Sequence, residues 1–241
     1  IVNPFLFEKE HKELGELSSD IYVNPDALVT TPYDMLINQA LEASRGDLRH
    51  GSCGIGINET IVRSNNEEFK VVVSDFLDDY RLRSNLERIR KKYVPNRIEE
   101  LGLGCLIGVE FYRKLYSNNL LDNFILSCSY FLDNTLFDST LRNYSTVIFE
   151  GAQGLLLDQN HRFFPHVTNS NTGLDNIIAL CEDNGISELE VYYVTRAYMT
   201  RHGAGPFPTE DSNLSYSDQT NIKNEYQGAI RFGKLDLPLL K

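Results

Sequence analysis

The chain has 241 residues, 41% of them apolar and 24% charged, an ordinary globular composition with enough apolar residues to bury a core. Lysine and arginine total 23 against 34 aspartates and glutamates, so the formal net charge is -11, which argues against a non-specific grip on nucleic acid or an anionic membrane, since both need basic surface. No run approaches the ~18 apolar residues of a membrane span, and the chain opens Ile1-Val2-Asn3-Pro4, without methionine, with no signal peptide expected.

Residues 5–15 have the spacing of a short amphipathic helix ending at Gly15. Val23 to Thr30 suits a strand. Thr31-Pro32 predicts a second helix through about Ala43, with Thr31 as N-cap and Pro32 at the first helical position. Residues 66–120, rich in Glu, Leu, Arg and Lys, predict helix interrupted near Pro95, and Leu121 to Asn143 continues the helical pattern. The character changes near Val147. Val147-Ile-Phe-Glu150 and Val191 to Tyr198 read as strands running into Gly-containing loops, with a helix from Asp175 to Asn184 between them. Strand, helix, strand predicts a βαβ unit with ligands at the carboxyl ends of the strands. The division expected is a mostly helical part over residues 1–145 and a strand–helix part over 146–241.

Cys53, Cys105, Cys128 and Cys181 form no CxxC pair, which speaks against a disulfide framework or structural zinc. Cys105, Cys128 and Cys181 sit among apolar residues and read as buried free thiols, consistent with a reducing cytoplasm. Of the histidines at 11, 50, 161, 166 and 202 only His161 and His166 are close in sequence, so no metal site is assigned.

Four loops concentrate glycine with hydroxyls, amides and arginine. Arg49-His-Gly51-Ser52-Cys53-Gly54-Ile-Gly56 serves either as an anion-binding turn, with Ser52 adding a hydroxyl, or as a plain structural turn. It lacks the Gly-Lys-Ser/Thr of a Walker A loop. Glu150-Gly-Ala-Gln153-Gly154 places an amide, both donor and acceptor, between glycines after an apolar run. Pro165 to Gly173 holds five consecutive hydroxyl or amide residues, Thr168 to Thr172. Thr200 to Glu210, with two glycines and two prolines, suits a pocket wall of fixed shape. Together they suggest a nucleotide-like ligand. Asp158 and His161 are spaced for a local turn hydrogen bond rather than an acid–base pair, and Cys53 has no assignable base.

Three of these segments closely resemble one family. Glu150-Gly-Ala-Gln-Gly-Leu-Leu-Leu-Asp158, Phe164-Pro-His-Val-Thr168-Asn-Ser-Asn-Thr172 and Arg196-Ala-Tyr-Met-Thr-Arg201-His-Gly-Ala-Gly-Pro-Phe-Pro-Thr-Glu210 are similar, in this order and near these spacings, to the motifs of adenylosuccinate synthetase. The resemblance covers nearly all of the chain. It implies an α/β, P-loop NTPase-related mixed or parallel sheet with a helical insertion. It also implies a C–N ligase that joins L-aspartate to the 6-position of inosine monophosphate (IMP), driven by GTP with Mg²⁺. In that reaction the 6-oxygen is phosphorylated and the amine then displaces phosphate.

The resemblance assigns Gln153 to the purine near its 6-oxygen, as the catalytic amide. Thr168, with the Ser52-Cys53 loop, would hold the 5′-phosphate, and His202 and Gly203 would line the ribose. Arg63 resembles the arginine that reaches a neighbouring subunit's phosphate, implying a homodimer, and Arg231 one that receives the aspartate carboxylate. The Gly51–Ile57 loop is shorter than the family's by an Arg and a Pro, and the arginine-rich loop is reduced to Gly228–Asp236. These departures raise a viral-type member using deoxyguanylate and ATP, or a catalytically dead nucleotide-binding homologue, as alternatives. The family's G-D-E-G-K-G-K loop, its acid histidine and its guanine-binding segment have no counterpart here. The chain is therefore expected to be the middle of a longer protein, inactive alone, with GTP and Mg²⁺ held mainly by other segments.

Overall fold

Asn3 starts the first helix: its side chain accepts a hydrogen bond from the Leu6 amide and Pro4 fills the first turn, giving α1, Pro4–Leu14. The computed structural model describes residues 1–16, 19–46, 49–138, 140–141, 143–217, 226 and 228–240. They fall into two units, Ile1–Asp47 with Cys53–Ser139, and Leu48–Ser52 with Thr140–Lys241.

In the first unit β1, Tyr22–Val23, precedes α2, Pro32–Ser44. Thr31 caps α2 as its sequence predicts, and Asp34 answers from the third position to close a capping box. The strand predicted over 23–30 is mostly single bridges, Val2 beside Val29 and Leu28 beside Val72. After α3, Ile57–Ser64, and a short 3₁₀ turn at Val73–Leu77 comes α4, Asp79–Arg88. The interruption predicted near Pro95 is a π turn, Ile89–Tyr93, which runs directly into α5, Val94–Glu100. Pro95 has no N–H to close an α turn, and the wider turn ahead of it keeps the Val94 amide bonded to the Ile89 carbonyl. Then come α6, Val109–Leu115, α7, Asn118–Asp133, and β2, Leu136–Phe137, parallel to β1.

The core of this unit gathers Ile37, Leu82, Leu86, Ile89, Val94 and Phe124, all fully buried. Helix α1 lies on α7, with Phe5 edge-on to Phe124 at 5.4 Å and Phe7 edge-on to Phe131 at 4.6 Å. Cys128 is buried there, and burial pushes its thiol well above the usual range. Cys105 is exposed, against expectation: the loop after Gly104 that carries it leaves the core.

The second unit holds α8, Asp175–Asn184, with the bounds predicted, then β3, Tyr198–Arg201, β4, Arg231–Lys234, and α9, Leu237–Leu240. Strands β3 and β4 are antiparallel, Tyr198 opposite Lys234 and Arg201 opposite Arg231. Tyr198 stacks on Tyr216 at 4.0 Å. The predicted βαβ unit is not formed. Residues 147–150 and 191–197 lie in irregular backbone, and Ile148, Tyr192, Tyr193 and Val194 are exposed. Among the described residues no strand lies beside either run, and β-propensity without a partner does not make a strand. The fold is thus mixed helix and strand with two two-stranded sheets, and a P-loop-type parallel sheet is absent among the described residues.

Candidate functional site

Loop 150–173 closes on itself. The Asp158 carboxylate accepts from the amides of Asn160 at 2.9 Å and Thr172 at 2.8 Å. These bonds hold its carboxyl below the ordinary carboxylate range. Thr172 Oγ1 donates to the Gly154 carbonyl at 3.1 Å, and the Thr168 amide donates to the Leu157 carbonyl at 2.8 Å. Gln153 and Thr168 therefore stand on one closed loop, Gln153 with an exposed side chain. Asp158 meets His161 through a backbone bond, the His161 amide donating to its carbonyl at 2.9 Å.

Three segments of the second unit converge at Arg201. This arginine, 8% exposed, donates to the His166 carbonyl at 2.7 Å and to the Ala204 carbonyl at 3.1 Å. Burial, and then the cation of Arg231, pull its pKa below the ordinary value. The Ala204 amide in turn donates to the His50 carbonyl at 3.1 Å, and the rings of His50 and His166 meet edge to face at 5.4 Å. Gly203 follows with φ +72°, where a side chain would be strained. Ser52, His202 and Gly203 are thus brought into one cluster, next in sequence to the backbone groups that hold it. Arg201, His50 and His166 were not among the predicted site residues, although each lies in one of the loops singled out above, Thr200–Glu210, Arg49–Gly56 and Pro165–Gly173.

Arg231 joins this cluster, but its guanidinium is already engaged. One nitrogen bonds Glu210 at 2.8 Å and another the carbonyls of Gly203 at 3.0 Å and Gly205 at 2.9 Å. Its Nε is buried without a hydrogen-bond partner among the described residues.

Two predicted residues lie in the first unit. Cys53 is exposed at the start of the turn that ends in Gly56. Arg63 has no exposed side-chain surface. Its guanidinium pairs with Asp34 at 2.9 Å and donates to the carbonyls of Phe69 at 2.5 Å and Val29 at 2.7 Å. A buried cation needs such partners to offset the cost of leaving water. Among the described residues no three His, Cys, Asp or Glu side chains stand together in a way that would hold a metal ion, and no residue of the chain is assigned to Mg²⁺. No helix among them is long and apolar enough to cross a membrane.

The second unit thus presents glycine-rich loops tied back by backbone amides and by Arg201 and Arg231, in a mixed helix–strand chain. The family model for adenylosuccinate synthetase matches residues 1–241, and the chain belongs to that family. It is 34% identical over 220 residues to the adenylosuccinate synthetase of Prochlorococcus marinus, covering 87% of this chain and 48% of that protein. It is 29% identical over 247 residues to that of Halothermothrix orenii, covering 95% and 54%. The solved structure of fully ligated adenylosuccinate synthetase from Plasmodium falciparum superposes with a TM-score of 0.66 at 18% identity, over 100% of this chain and 56% of that one, a likeness of fold. The chain spans about half the length of the curated relatives it matches.

Proposed function

We propose that the protein carrying this chain joins L-aspartate to the 6-position of IMP with GTP and Mg²⁺, and that these residues supply much of the surface for the purine monophosphate. The observation that carries the reading is the closed loop that carries Gln153 and Thr168 in the segments where the family motifs lie. Gln153 acts on the purine: its amide NH₂ donates to the 6-oxygen as charge builds there during phosphoryl transfer. Thr168 with Ser52 and Cys53 holds the 5′-phosphate, and His202 with Gly203 lines the ribose. Phosphorylation turns a poor oxygen leaving group into a good one. The aspartate amine then attacks carbon 6, phosphate departs with the C–O electron pair, and the amine loses its proton to solvent or a base.

The shortened Gly51–Ile57 loop and the reduced arginine loop favour a second reading, deoxyguanylate with ATP as the substrate pair. The test is turnover by the full-length product of the gene with IMP and GTP against deoxyguanylate and ATP, each with aspartate and Mg²⁺. Faster use of IMP supports the first reading, faster use of deoxyguanylate the second, and no turnover of either pair overturns both in favour of a nucleotide-binding homologue without activity.

A further inference from the structure

The turn Cys53–Gly56 is moored to α2 by two neighbouring amides. Gln39 Nε2 donates to the Gly54 carbonyl at 3.1 Å, and Asn38 Oδ1, on a buried side chain, accepts from the Gly56 amide at 3.2 Å. Gly56, with φ +89°, lies so close on the first turn of α2 that a Cβ there would stand 2.7 Å from the Asp34 carbonyl carbon and 2.8 Å from the Met35 nitrogen. On the other side Thr60 Oγ1 is 2.9 Å from the Gly56 carbonyl and 2.8 Å from Thr30 Oγ1. Beneath them the Asp34–Arg63 pair ties α3 to α2. Asparagine is a poor helix former, and a buried amide in mid-helix is costly unless it is bonded. The Asn38 Oδ1 accepts from the turn.

We infer that Asn38 and Gln39 are positioning residues: they set the course of the Cys53–Gly56 turn and, through it, the affinity for the 5′-phosphate of the purine monophosphate. This rests on the phosphate reading proposed above for the Ser52-Cys53 segment. Asn38 supplies an acceptor and Gln39 a donor, so the two amides grip opposite ends of one peptide run, and neither needs to touch the ligand.

The test uses the full-length protein and pairs amide hydrogen exchange over residues 53–57 with steady-state kinetics. Asn38→Leu keeps the branched shape and removes the acceptor that the Gly56 amide bonds. Expected for Asn38→Leu are about tenfold faster exchange in the turn and an IMP KM raised about tenfold with kcat changed by less than about twofold. Gln39→Met should act in the direction of Asn38→Leu. If Asn38→Leu leaves exchange unchanged, the mooring is overturned. If exchange quickens but KM holds, while Ser52→Ala raises KM, the positioning role is overturned and the phosphate reading stands. If neither Ser52→Ala nor Cys53→Ala moves KM, the phosphate reading itself falls and takes this inference with it.

Discussion

Gly51 and Gly203 meet backbone to backbone. A Cβ built on Gly51 would stand 2.3 Å from Gly203 Cα, and one built on Gly203 would stand 2.2 Å from the His50 carbonyl oxygen. Both have positive φ, +80° and +72°. Alanine at either position meets two obstacles, a backbone conformation that costs roughly 1–3 kcal/mol for a residue with a side chain and a contact that only backbone movement relieves. Gly51→Ala and Gly203→Ala are each expected to lower the urea midpoint and to raise the IMP KM. Gly104→Ala, where nothing lies within 4 Å, is the neutral control.

Breaking the Arg63–Asp34 pair leaves a buried charge alone. Arg63→Met or Asp34→Asn should destabilise the fold by about 3–5 kcal/mol in urea unfolding, the usual cost of removing one member of a buried pair. Arg63→Lys should recover little, because an ammonium cannot reach Asp34 and the carbonyls of Val29 and Phe69 together. A stable Arg63 variant with a selective loss of IMP affinity would support the role at a neighbouring subunit.

Two tyrosines should titrate late. Burial pushes Tyr33 and Tyr93 up to about 12. An unfolded tyrosine ionises near ~10, so between these values the folded state holds protons that the unfolded state has lost. The stability from these groups is whole below pH ~10 and is lost as the pH rises towards 12. In an ultraviolet titration Tyr33→Phe should remove part of the late step.

Loop 154–172 should open in acid. The lowered pKa of Asp158 means its stabilising bonds are present above the unfolded value of ~3.9 and are lost as the pH falls below it. Hydrogen exchange at the Thr172 amide is expected to exceed the intrinsic acid trend there, and Asp158→Ala should show the open state already at neutral pH.

Gln153→Ala should lower kcat by about a hundredfold while changing the IMP KM much less, because its donor matters most when charge has built on the 6-oxygen. An unchanged kcat would remove Gln153 from the chemistry.

What the sequence made legible was local. Thr31 with Pro32 marked the start of α2, Pro95 the break behind α4, and the bounds of α8 follow from its own residues. The burial of Arg63 was not legible because its partner Asp34 is 29 positions away: a charged residue on a short helix ordinarily faces water, and nothing nearby announces the acid that buries it. The runs at 147–150 and 191–197 misled for the opposite reason, since their β-branched and aromatic residues state a preference that only a neighbouring strand can realise. At the site, the glycine-rich loops were visible, but the hub at Arg201 was not. Its bonds go to carbonyls of residues chosen by the fold, and a carbonyl carries no residue identity.

The exposed run Tyr192-Tyr193-Val194 has a consequence for handling the protein. Strand-forming residues with open backbone groups are templates for pairing between copies, and such edges in natural proteins are blunted by lysine or proline. Here the nearest charged neighbours are Glu190 and Arg196. Concentrated solutions of these 241 residues should therefore scatter light through this segment first, and a lysine in place of Val194 should delay that aggregation.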